Sequence, residues 1–472
     1  MSEDHGEELA GLQAHYQRLR TAAEAGAPSE SRRRAQLQAM LTWTVANQAA
    51  VTAAIQKDFG TRSPMESMLA ELFIVTAGLR HALGALSTWM APEPRDVHWA
   101  FLPARGELRR QPKGVVAILS PWNYPFHLAV VPLTAAIAAG NRVLLKTSEF
   151  TPATSAQLRS MVAACFTEDE VVLLEGGPEV GNAVCHLPVD HIFFTGSTTV
   201  GRKVMQAAAE HLTPVTLELG GKSPVILHPL ADQDHAIKRI ATGKLLNAGQ
   251  TCVAPDYLLL PGGDPATVAN KLATTIGQLY PRLRDNPDYT GILQPRQRQR
   301  LRALVEDARK KGATIIEVNP ASEDLEGSGK FPPTLIVGAT AEMVVMQEEI
   351  FGPLLPILAC PSLEAALARV AAGPRPLALY YFDHDATRIE TVLQRSISGG
   401  VCINETMYHV AQEELPFGGT GASGMGAYHG FEGFRAFSHE KAVFHQSRLS
   451  AAALLGAPYQ GWMQRLAKFL VG

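Results

Sequence analysis

The pattern of hydrophobic and polar positions divides the chain into two kinds of segment. Residues 5–90 are long stretches of Ala, Leu, Gln, Glu and Arg, interrupted at 27–28 and 60–64, which predicts helices. From residue 114, apolar β-branched runs alternate with helical stretches; the runs are GVVAILS, RVLLKTS, VVLLEGG, DHIFFTG and VTLELGG. Strands that are apolar throughout and separated by helices are typical of a parallel sheet covered on both faces. The pattern therefore predicts an α/β fold.

A second alternating region follows the first. It runs from SPVILH through helices at 232–248 and 265–279, with YLLLPGG between them, to VCIN at 401–404. We expect domain boundaries near residues 220 and 410. The predicted first domain comprises residues 1–96 and 112–220, and the second comprises residues 221–410.

Two extended segments and a tail fall outside both regions. Val97, Trp99 and Phe101 alternate with other residues, and with the segment that follows they predict a β-ribbon at 97–111. EKAVFHQ predicts an edge strand that completes the ribbon, at 436–446. In the tail, residues 447–472, apolar side chains recur at helical spacing, which predicts an amphipathic helix; they are Tyr459, Trp462, Met463, Leu466, Phe469 and Leu470.

Composition narrows the function classes. A chain of 472 residues with 46% hydrophobic residues is long and apolar enough for two or three globular units. A formal net charge of −3 gives no electrostatic footprint for nucleic acid. No apolar run approaches the ~20 residues that span a bilayer, and the acidic start MSEDHGEELAG does not resemble a secretory signal.

The five cysteines are far apart and show no CxxC spacing. This pattern argues against a disulfide framework and against a metal site, and it indicates reduced thiols in a cytoplasm.

Three polar residues stand in unusual surroundings. Cys252, in NAGQTCVAP, is either a small packing residue or a nucleophile, since a thiol attacks only as the thiolate. Glu218 lies in the apolar run VTLELGG, where it is either a desolvated general base or a solvent-side residue of an edge strand. Asn123, held between prolines in PWNYPF, is either an oxyanion-stabilising amide or part of a structural turn.

Two further segments have the character of a binding site. FFTGSTTVG places Gly196 and Gly201 between a strand and a helix, where a helix N-terminus can hold phosphate, although the spacing matches no dinucleotide fingerprint or P-loop. Lys146 and Glu149, at the end of another strand, could bind ribose hydroxyls or form a surface pair.

Together these segments resemble one family. PWNYPF, LLKTSE, FFTGSTTVG, LELGGKSP, GQTC, EEIFGP and LPFGGTGASGMG occur in the order and at about the intervals of the aldehyde dehydrogenase superfamily, from about residue 30 to 446. DFGTRSPMES, NAGQTCVAPDY and GMGAYHGFEGFRAFSH resemble the class 3 branch and, within it, the coniferyl aldehyde dehydrogenases. The resemblance implies a Rossmann-type coenzyme domain, an α/β catalytic domain and a small oligomerisation ribbon.

The resemblance also implies roles for individual residues. Cys252 would be the nucleophile, Asn123 the oxyanion donor and Glu218 the base that activates water. Lys146 and Glu149 would bind the adenosine ribose, and the Glu149 carboxylate favours NAD over NADP, whose 2′-phosphate would meet a like charge. The remaining implied cofactor residues are Trp122, Gly177, Thr195, Gly196, Ser197, Val200, Glu349 and Phe351.

The sequence indicates the substrate and the partners less clearly than the catalytic residues. Tyr124, Tyr408 and His409 would line an aromatic-accepting tunnel or pack in the core. The resemblance implies an aromatic aldehyde such as coniferaldehyde, with a medium- or long-chain aliphatic aldehyde as the alternative and a thiol-dependent esterase as a third reading. It implies a homodimer paired through the ribbon. The tail helix would dock on its own chain or on the partner subunit, with a membrane surface as the alternative.

Overall fold

Three β-sheets organise the chain. The computed structural model describes residues 3–449, 457, 459 and 461–472, with side chains from residue 9. The strands are β1 Glu93–Arg95, β2 Arg105–Pro112, β3 Val115–Leu119, β4 Arg142–Lys146, β5 Val171–Leu174, β6 His191–Gly196, β7 Val215–Leu219, β8 Pro224–Leu227, β9 Tyr257–Pro261, β10 Thr314–Glu317, β11 Thr334–Val337, β12 Leu354–Cys360, β13 Ala378–Phe382, β14 Gly400–Ile403, β15 Gly424–Met425 and β16 Ser438–His445.

Helices cover the two larger sheets and form most of the first 90 residues. The α-helices are α1 Glu3–Glu24, α2 Glu30–Ala46, α3 Gln48–Phe59, α4 Pro64–Ser67, α5 Ile74–Met90, α6 His127–Ala139, α7 Pro152–Cys165, α8 Pro178–Cys185, α9 Thr198–Ala209, α10 Gln233–Leu245, α11 Pro265–Leu279, α12 Pro295–Lys310, α13 Val344–Gln347, α14 Leu363–Ala372, α15 Ala386–Arg395, α16 Gly430–Ala436 and α17 Gly461–Val471. A π-helical turn, Met68–Phe73, joins α4 to α5, and 3₁₀ turns lie at Trp99–Phe101, Leu246–Gly249 and Tyr408–Ala411.

The first large sheet has six strands in the order β15-β7-β6-β3-β4-β5. The five central and outer strands β3 to β7 run parallel, and only the short β15 is antiparallel to its neighbour β7. Helix α6, which follows β3, is buried along its whole length, as its apolar sequence requires. The carboxyl ends of these strands meet at one edge, which is where open α/β sheets hold ligands.

The second large sheet has seven strands in the order β10-β11-β12-β9-β8-β13-β14. All neighbours are parallel except β10 and β11. The predicted α/β class is therefore confirmed. The domain limits near residues 220 and 410 stay a prediction, and β15 joins the first sheet although it follows residue 410 in sequence.

The third sheet is the ribbon, in which β2 pairs with β1 on one side and with β16 on the other. One detail of the prediction is wrong: Trp99–Phe101 is a 3₁₀ turn instead of extended chain. The N–H of Phe101 donates to the carbonyl of His98 at 2.9 Å. The alternation misled because Trp99 and Phe101 are exposed residues of a turn, from which Phe101 meets the ring of Phe444 on β16 edge-on at 6.3 Å.

Helix α10 also ends earlier than expected. It stops at Leu245, because Asn247 and Ala248 adopt left-handed φ angles of 53° and 51° that no helix continues.

The continuous helix Pro64–Met90 is, by length and composition alone, long and apolar enough to cross a membrane. The sequence did not suggest this, because polar residues interrupt the helix. Half of its most apolar window is buried inside the fold, as in the core helix of a globular protein.

The tail contains the expected helix, α17. None of its side chains is buried, and Trp462, Phe469 and Leu470 expose their apolar surface. Met463 and Leu466 of this helix are half-buried, and the surface on which the helix docks stays a prediction.

The backbone at Gly424 yields a test of the sheet edge. Gly424 pairs with Glu218 in the β15–β7 register and has φ +139°, and a Cβ there would overlap the Leu217 carbonyl oxygen. We expect Gly424→Ala to lower the midpoint of thermal unfolding clearly, by a loss of about 2 kcal/mol or more. Gly262→Ala is the matched control, since Gly262 also has positive φ, +64°, but nothing within 4 Å. Equal shifts for both variants would contradict the packing argument.

Candidate active site

A cavity of about 240 Å³ opens at the carboxyl edge of the six-stranded sheet. It contains all three residues predicted to be catalytic and most of those predicted to bind a cofactor. Its lining residues are Pro121, Trp122, Asn123, Leu128, Thr195, Gly196, Ser197, Glu218, Gly220, Cys252, Gln297, Arg300, Glu349 and Phe351.

Cys252 is carried by a loop whose backbone is unusual. After helix α10, residues Asn247, Ala248 and Gly249 all have positive φ. Such angles cost roughly 1–2 kcal/mol for each non-glycine residue, so other contacts must hold the loop. At Gly249 a side chain would overlap the carbonyl of Gly352, which only glycine avoids.

The side chain of Gln250 makes three hydrogen bonds that stabilise this loop. Its Nε2 donates to the carbonyls of Asn247 and Gly291, both at 3.0 Å, and its Oε1 accepts the N–H of Leu293 at 3.1 Å. The side chain is fully buried. Because buried amides are expensive unless hydrogen-bonded, this satisfied residue fixes the turn before Cys252.

Asn123 reaches the same loop from the other side. Its Nδ2 donates to the carbonyl of Gln250 at 3.2 Å. The amide carries two N–H groups, so the second remains for an oxygen in the cavity. The backbone carbonyl of Asn123 accepts a hydrogen bond from the side-chain amide of Asn247 at 2.9 Å. The side chain therefore stands beside Cys252 in a fixed orientation.

Burial sets the protonation of the reactive groups. Although Cys252 retains partial exposure, protein atoms surround its sulfur and desolvation, reinforced by Glu349 and Glu218, raises the pKa of the thiol to about 12. Desolvation raises the pKa of Glu218 well above its ordinary value, and that of Glu349 to about 8, with Asp256 adding to the latter. The Cys252 thiol is therefore protonated at neutral pH before it reacts, and burial favours the uncharged form of both carboxyls.

Several buried oxygens in the cavity have no hydrogen-bond partner in the described part of the chain. They are both carboxyl oxygens of Glu218, Oε1 of Glu349 and Oγ1 of Thr195. Unpaired buried polar atoms are rare, and in a cavity they mark places for a ligand or water. A Cβ at Gly220 would overlap the Glu349 carboxyl, so this close approach also needs glycine.

The remaining predicted cofactor residues lie at or just after the carboxyl ends of β4, β5 and β6. Lys146 is buried at the end of β4, with its Nζ 3.3 Å from an oxygen of half-buried Glu149, so the two form an ion pair. Ser197 caps helix α9, its Oγ accepting the N–H of Val200 at 3.4 Å. Gly177 precedes helix α8. Lys146, Glu149, Gly177 and Val200 do not line the cavity itself.

This donor set fits a dinucleotide. Helix α9 presents its positive N-terminal end beside the cavity, where pyrophosphate is favoured. A cation and a carboxylate at the end of β4 suit hydroxyl recognition. Phe351, whose ring meets that of Trp122 edge-on at 5.4 Å, gives a flat apolar surface near Cys252.

The predicted substrate residues lie elsewhere. Tyr124 is buried, with its hydroxyl 2.8 Å from Thr251 Oγ1, so it packs behind the Cys252 loop. Tyr408 is exposed, with the guanidinium of Arg239 5.1 Å from its ring centre. His409 lies beside Cys402, Nδ1 to Sγ at 3.1 Å. None of them lines the cavity.

Two polar side chains that line the cavity, Gln297 and Arg300, were missed by the sequence reasoning. Gln297 and Arg300 project from α12, and they donate to the carbonyls of Phe351 at 3.1 Å and Glu349 at 3.0 Å. The signal was hidden because PRQRQRLR resembles an ordinary solvated helix face. They tie α12 to the segment that carries Glu349.

Comparisons with known proteins agree with this geometry. The model of the aldehyde dehydrogenase family matches residues 13–443. The chain is 48% identical to a probable coniferyl aldehyde dehydrogenase of Caulobacter vibrioides, covering 95% of this chain and 93% of that protein. It is 45% identical to the coniferyl aldehyde dehydrogenase of Pseudomonas sp. strain HR199, covering 92% and 91%.

A solved structure of Staphylococcus aureus AldH in a substrate-bound state superposes with a TM-score of 0.92 at 35% identity, covering 97% of this chain and 99% of that one. Since the family model and these relatives extend over nearly the whole chain, this protein belongs to the aldehyde dehydrogenase family and is an NAD(P)-dependent aldehyde dehydrogenase.

Proposed function

We propose that the enzyme oxidises an aromatic aldehyde of the coniferaldehyde type to its acid through a thioester on Cys252. The observation that carries the mechanism is that Cys252, the Asn123 amide and the Glu218 carboxyl line one cavity. The substrate class is supported by similarity to proteins named coniferyl aldehyde dehydrogenases.

In the first half-reaction, the Cys252 thiolate attacks the aldehyde carbon and a C–S bond forms, giving a thiohemiacetal. The negative oxygen is stabilised by the free N–H of the Asn123 amide. Lys146, Glu149 and the N-terminal end of α9 would hold NAD⁺, which when bound would supply the acceptor for the hydride that leaves the same carbon. Cys252 then holds the acyl group as a thioester.

In the second half-reaction, water attacks the thioester carbon and the C–S bond breaks. Glu218 takes the proton of that water and later passes it to solvent, and the Cys252 thiolate is restored. Its raised pKa makes the Glu218 carboxylate a stronger base than an exposed one. The net change is aldehyde, NAD⁺ and water to acid, NADH and a proton.

The coenzyme preference that we propose is NAD. Glu149 lies at the end of β4 beside Lys146. Its carboxylate can accept hydrogen bonds from ribose hydroxyls, whereas a 2′-phosphate would bring a second negative charge to it.

Oxidation of a medium- or long-chain aliphatic aldehyde is the second candidate. Relatives at 36–39% identity include an aldehyde dehydrogenase family 3 member A2 of Rattus norvegicus and a 4,4'-diaponeurosporen-aldehyde dehydrogenase of Staphylococcus aureus, so similarity over most of the chain is not confined to proteins named for coniferyl aldehyde. A thiol esterase has no use for the predicted coenzyme residues, Lys146 and Glu149 among them.

We also propose a cytoplasmic homodimer. Strand β16 pairs with β2 along one edge, and in the described ribbon its other edge has no neighbouring strand. A second subunit's strand would satisfy the backbone groups there. The tail helix α17 would then cover part of the partner, with a membrane surface as the alternative.

The high pKa of Cys252 gives a direct test. In the enzyme without coenzyme, alkylation of Cys252 by iodoacetamide should accelerate about tenfold per pH unit from pH 7 to 9 without a plateau, because only the thiolate reacts. Mass spectrometry of the peptide gives the rate, and Cys252→Ser identifies labelling of other thiols. A plateau below pH 9 would show a less desolvated sulfur.

Glu218→Gln separates the two half-reactions. The variant should form NADH in a burst of about one equivalent and then turn over at least about 100-fold more slowly, because water activation is lost. Stopped-flow absorbance of NADH measures both phases. Cys252→Ser should show neither phase. Loss of the burst in Glu218→Gln would place Glu218 in an earlier step than hydrolysis.

The substrate class is tested by comparing kcat/KM for coniferaldehyde, cinnamaldehyde and dodecanal at equal enzyme. We expect at least about a tenfold advantage for the aromatic aldehydes, which equals about 1.4 kcal/mol of transition-state binding. NADH formation is the readout. A large advantage for dodecanal would favour the fatty-aldehyde candidate.

A further inference from the structure

DFGTRSPMES, residues 58–67, is a segment that the proposed mechanism leaves without a role. Its Arg62 is fully buried. Nη1 donates to the carbonyl of Asn123 at 3.0 Å and lies 3.0 Å from Oε1 of Glu71, whose side chain is also fully buried. The rings of Phe59 and Tyr124 enclose the guanidinium, 4.8 and 4.7 Å from its carbon.

Glu71 extends this contact along the loop. It lies in the π-helical turn between α4 and α5, a rare geometry that frequently occurs at functional sites. Its Oε2 accepts the backbone N–H groups of Phe126 at 2.8 Å and His127 at 3.0 Å. The ion pair of Arg62 and Glu71 therefore holds both ends of the loop 123–127.

The same segment also reaches the Cys252 loop. Oε2 of Glu66 accepts the N–H of Asn247 at 3.3 Å and the hydroxyl of Thr290 at 2.8 Å. Asn247 in turn shares the Asn123 carbonyl with Arg62. Arg62 thus binds the backbone carbonyl of Asn123, the same group through which Asn247 connects the Cys252 loop to the predicted oxyanion donor.

Stability alone does not account for a cation here. Nε and Nη2 of Arg62 have no hydrogen-bond partner in the described structure, and a buried ion pair is often no more stabilising than apolar side chains of similar size. What the ion pair of Arg62 and Glu71 does supply is a fixed orientation of the neighbouring backbone. It fixes the Asn123 peptide plane, and with it the line along which the amide leaves the backbone.

We infer that Arg62 is a positioning residue for the oxyanion site, acting through the Asn123 carbonyl and paired with Glu71. This inference rests on the proposed role of Asn123. Arg62 does not line the cavity, so it touches neither aldehyde nor coenzyme. Its loss should slow the step that develops the negative oxygen and leave coenzyme affinity and Cys252 alkylation nearly unchanged.

A double-mutant cycle of Arg62→Met with Asn123→Ala tests this in the full-length enzyme. The readout is the rate of the NADH burst with saturating coniferaldehyde and NAD. Asn123→Ala should slow the burst about 100-fold or more, as losing an oxyanion donor does. Arg62→Met should slow it about 100-fold, as a small misplacement does. In the Asn123→Ala background, Arg62→Met should slow it less than about threefold.

Arg33→Met is the matched control. Arg33 is also buried, and its Nη1 donates to the carbonyls of Ala138 and Ala139 at 3.0 Å, at the far end of α6. It should lower the thermal midpoint without changing the burst rate. Arg62→Lys keeps the charge and one donor and should recover part of the rate. If Arg62→Met does not fold, Glu71→Gln replaces it in the same cycle.

The outcomes distinguish the positioning role of Arg62 from the oxyanion role of Asn123. If Arg62→Met slows the burst equally with and without the Asn123 side chain, its role is structural and the positioning inference is wrong while the mechanism stands. If Asn123→Ala leaves the burst rate unchanged, the proposed oxyanion role fails and the inference fails with it. A slowing by Arg62→Met that disappears in the Asn123→Ala background supports both.

Discussion

The site depends on the hydrogen bonds between Asn123 and the NAGQ turn. The carbonyl of Gln250 accepts both the Asn123 amide at 3.2 Å and the Asn247 amide at 3.1 Å. One of these loops follows β3 of the six-stranded sheet, and the other precedes β9 of the seven-stranded sheet. These bonds therefore fix the nucleophile and the oxyanion donor relative to each other across two sheets, and they offset the left-handed strain of residues 247–249.

The same burial that rigidifies the site governs its electrostatics. Cys252, Glu218 and Glu349 share one cavity, and desolvation raises the pKa of each. Negative charges that share one cavity repel one another, so burial disfavours having all three groups ionised at once. The thiolate and the carboxylate are needed at different steps of the proposed reaction, in which the nucleophile acts first and the base second.

The local pattern of hydrophobic and polar residues was sufficient to predict the regions in which strands and helices alternate regularly. The apolar runs at β3 to β7 and the mainly apolar helix α6 lie where the pattern puts them, since most positions of a buried strand or helix take apolar residues. The pattern failed where side chains are exposed or the backbone is special. Trp99 and Phe101 alternate but are largely exposed. Helix α10 stops at left-handed φ angles that Asn247 tolerates and that Ala248 does not announce.

The candidate site shows the same division. Cys252, Glu218 and Asn123 were identifiable because a thiol, a carboxylate and an amide stand in surroundings where polar groups are expensive. Gln297 and Arg300 were not, because on a charged helix such as α12 nothing distinguishes a cavity residue from a solvated one. Arg62 precedes α4 and Glu71 lies 9 positions later in the π-helical turn, and no sequence pattern announces that the Glu71 carboxylate reaches the backbone of residues 126 and 127.

Substrate choice must lie outside the shared motifs. The cavity residues that the motifs supply fit any aldehyde, and relatives that resemble this chain over most of its length bear names as different as coniferyl aldehyde and 4,4'-diaponeurosporen-aldehyde dehydrogenase. The residues first expected to read the substrate do not reach the cavity: Tyr124 packs behind the nucleophile loop, and Tyr408 faces Arg239. Arg62 and Gln250 position the loops of Asn123 and Cys252 without lining the cavity. A substitution among the cavity side chains therefore need not break the hydrogen bonds that these two residues make.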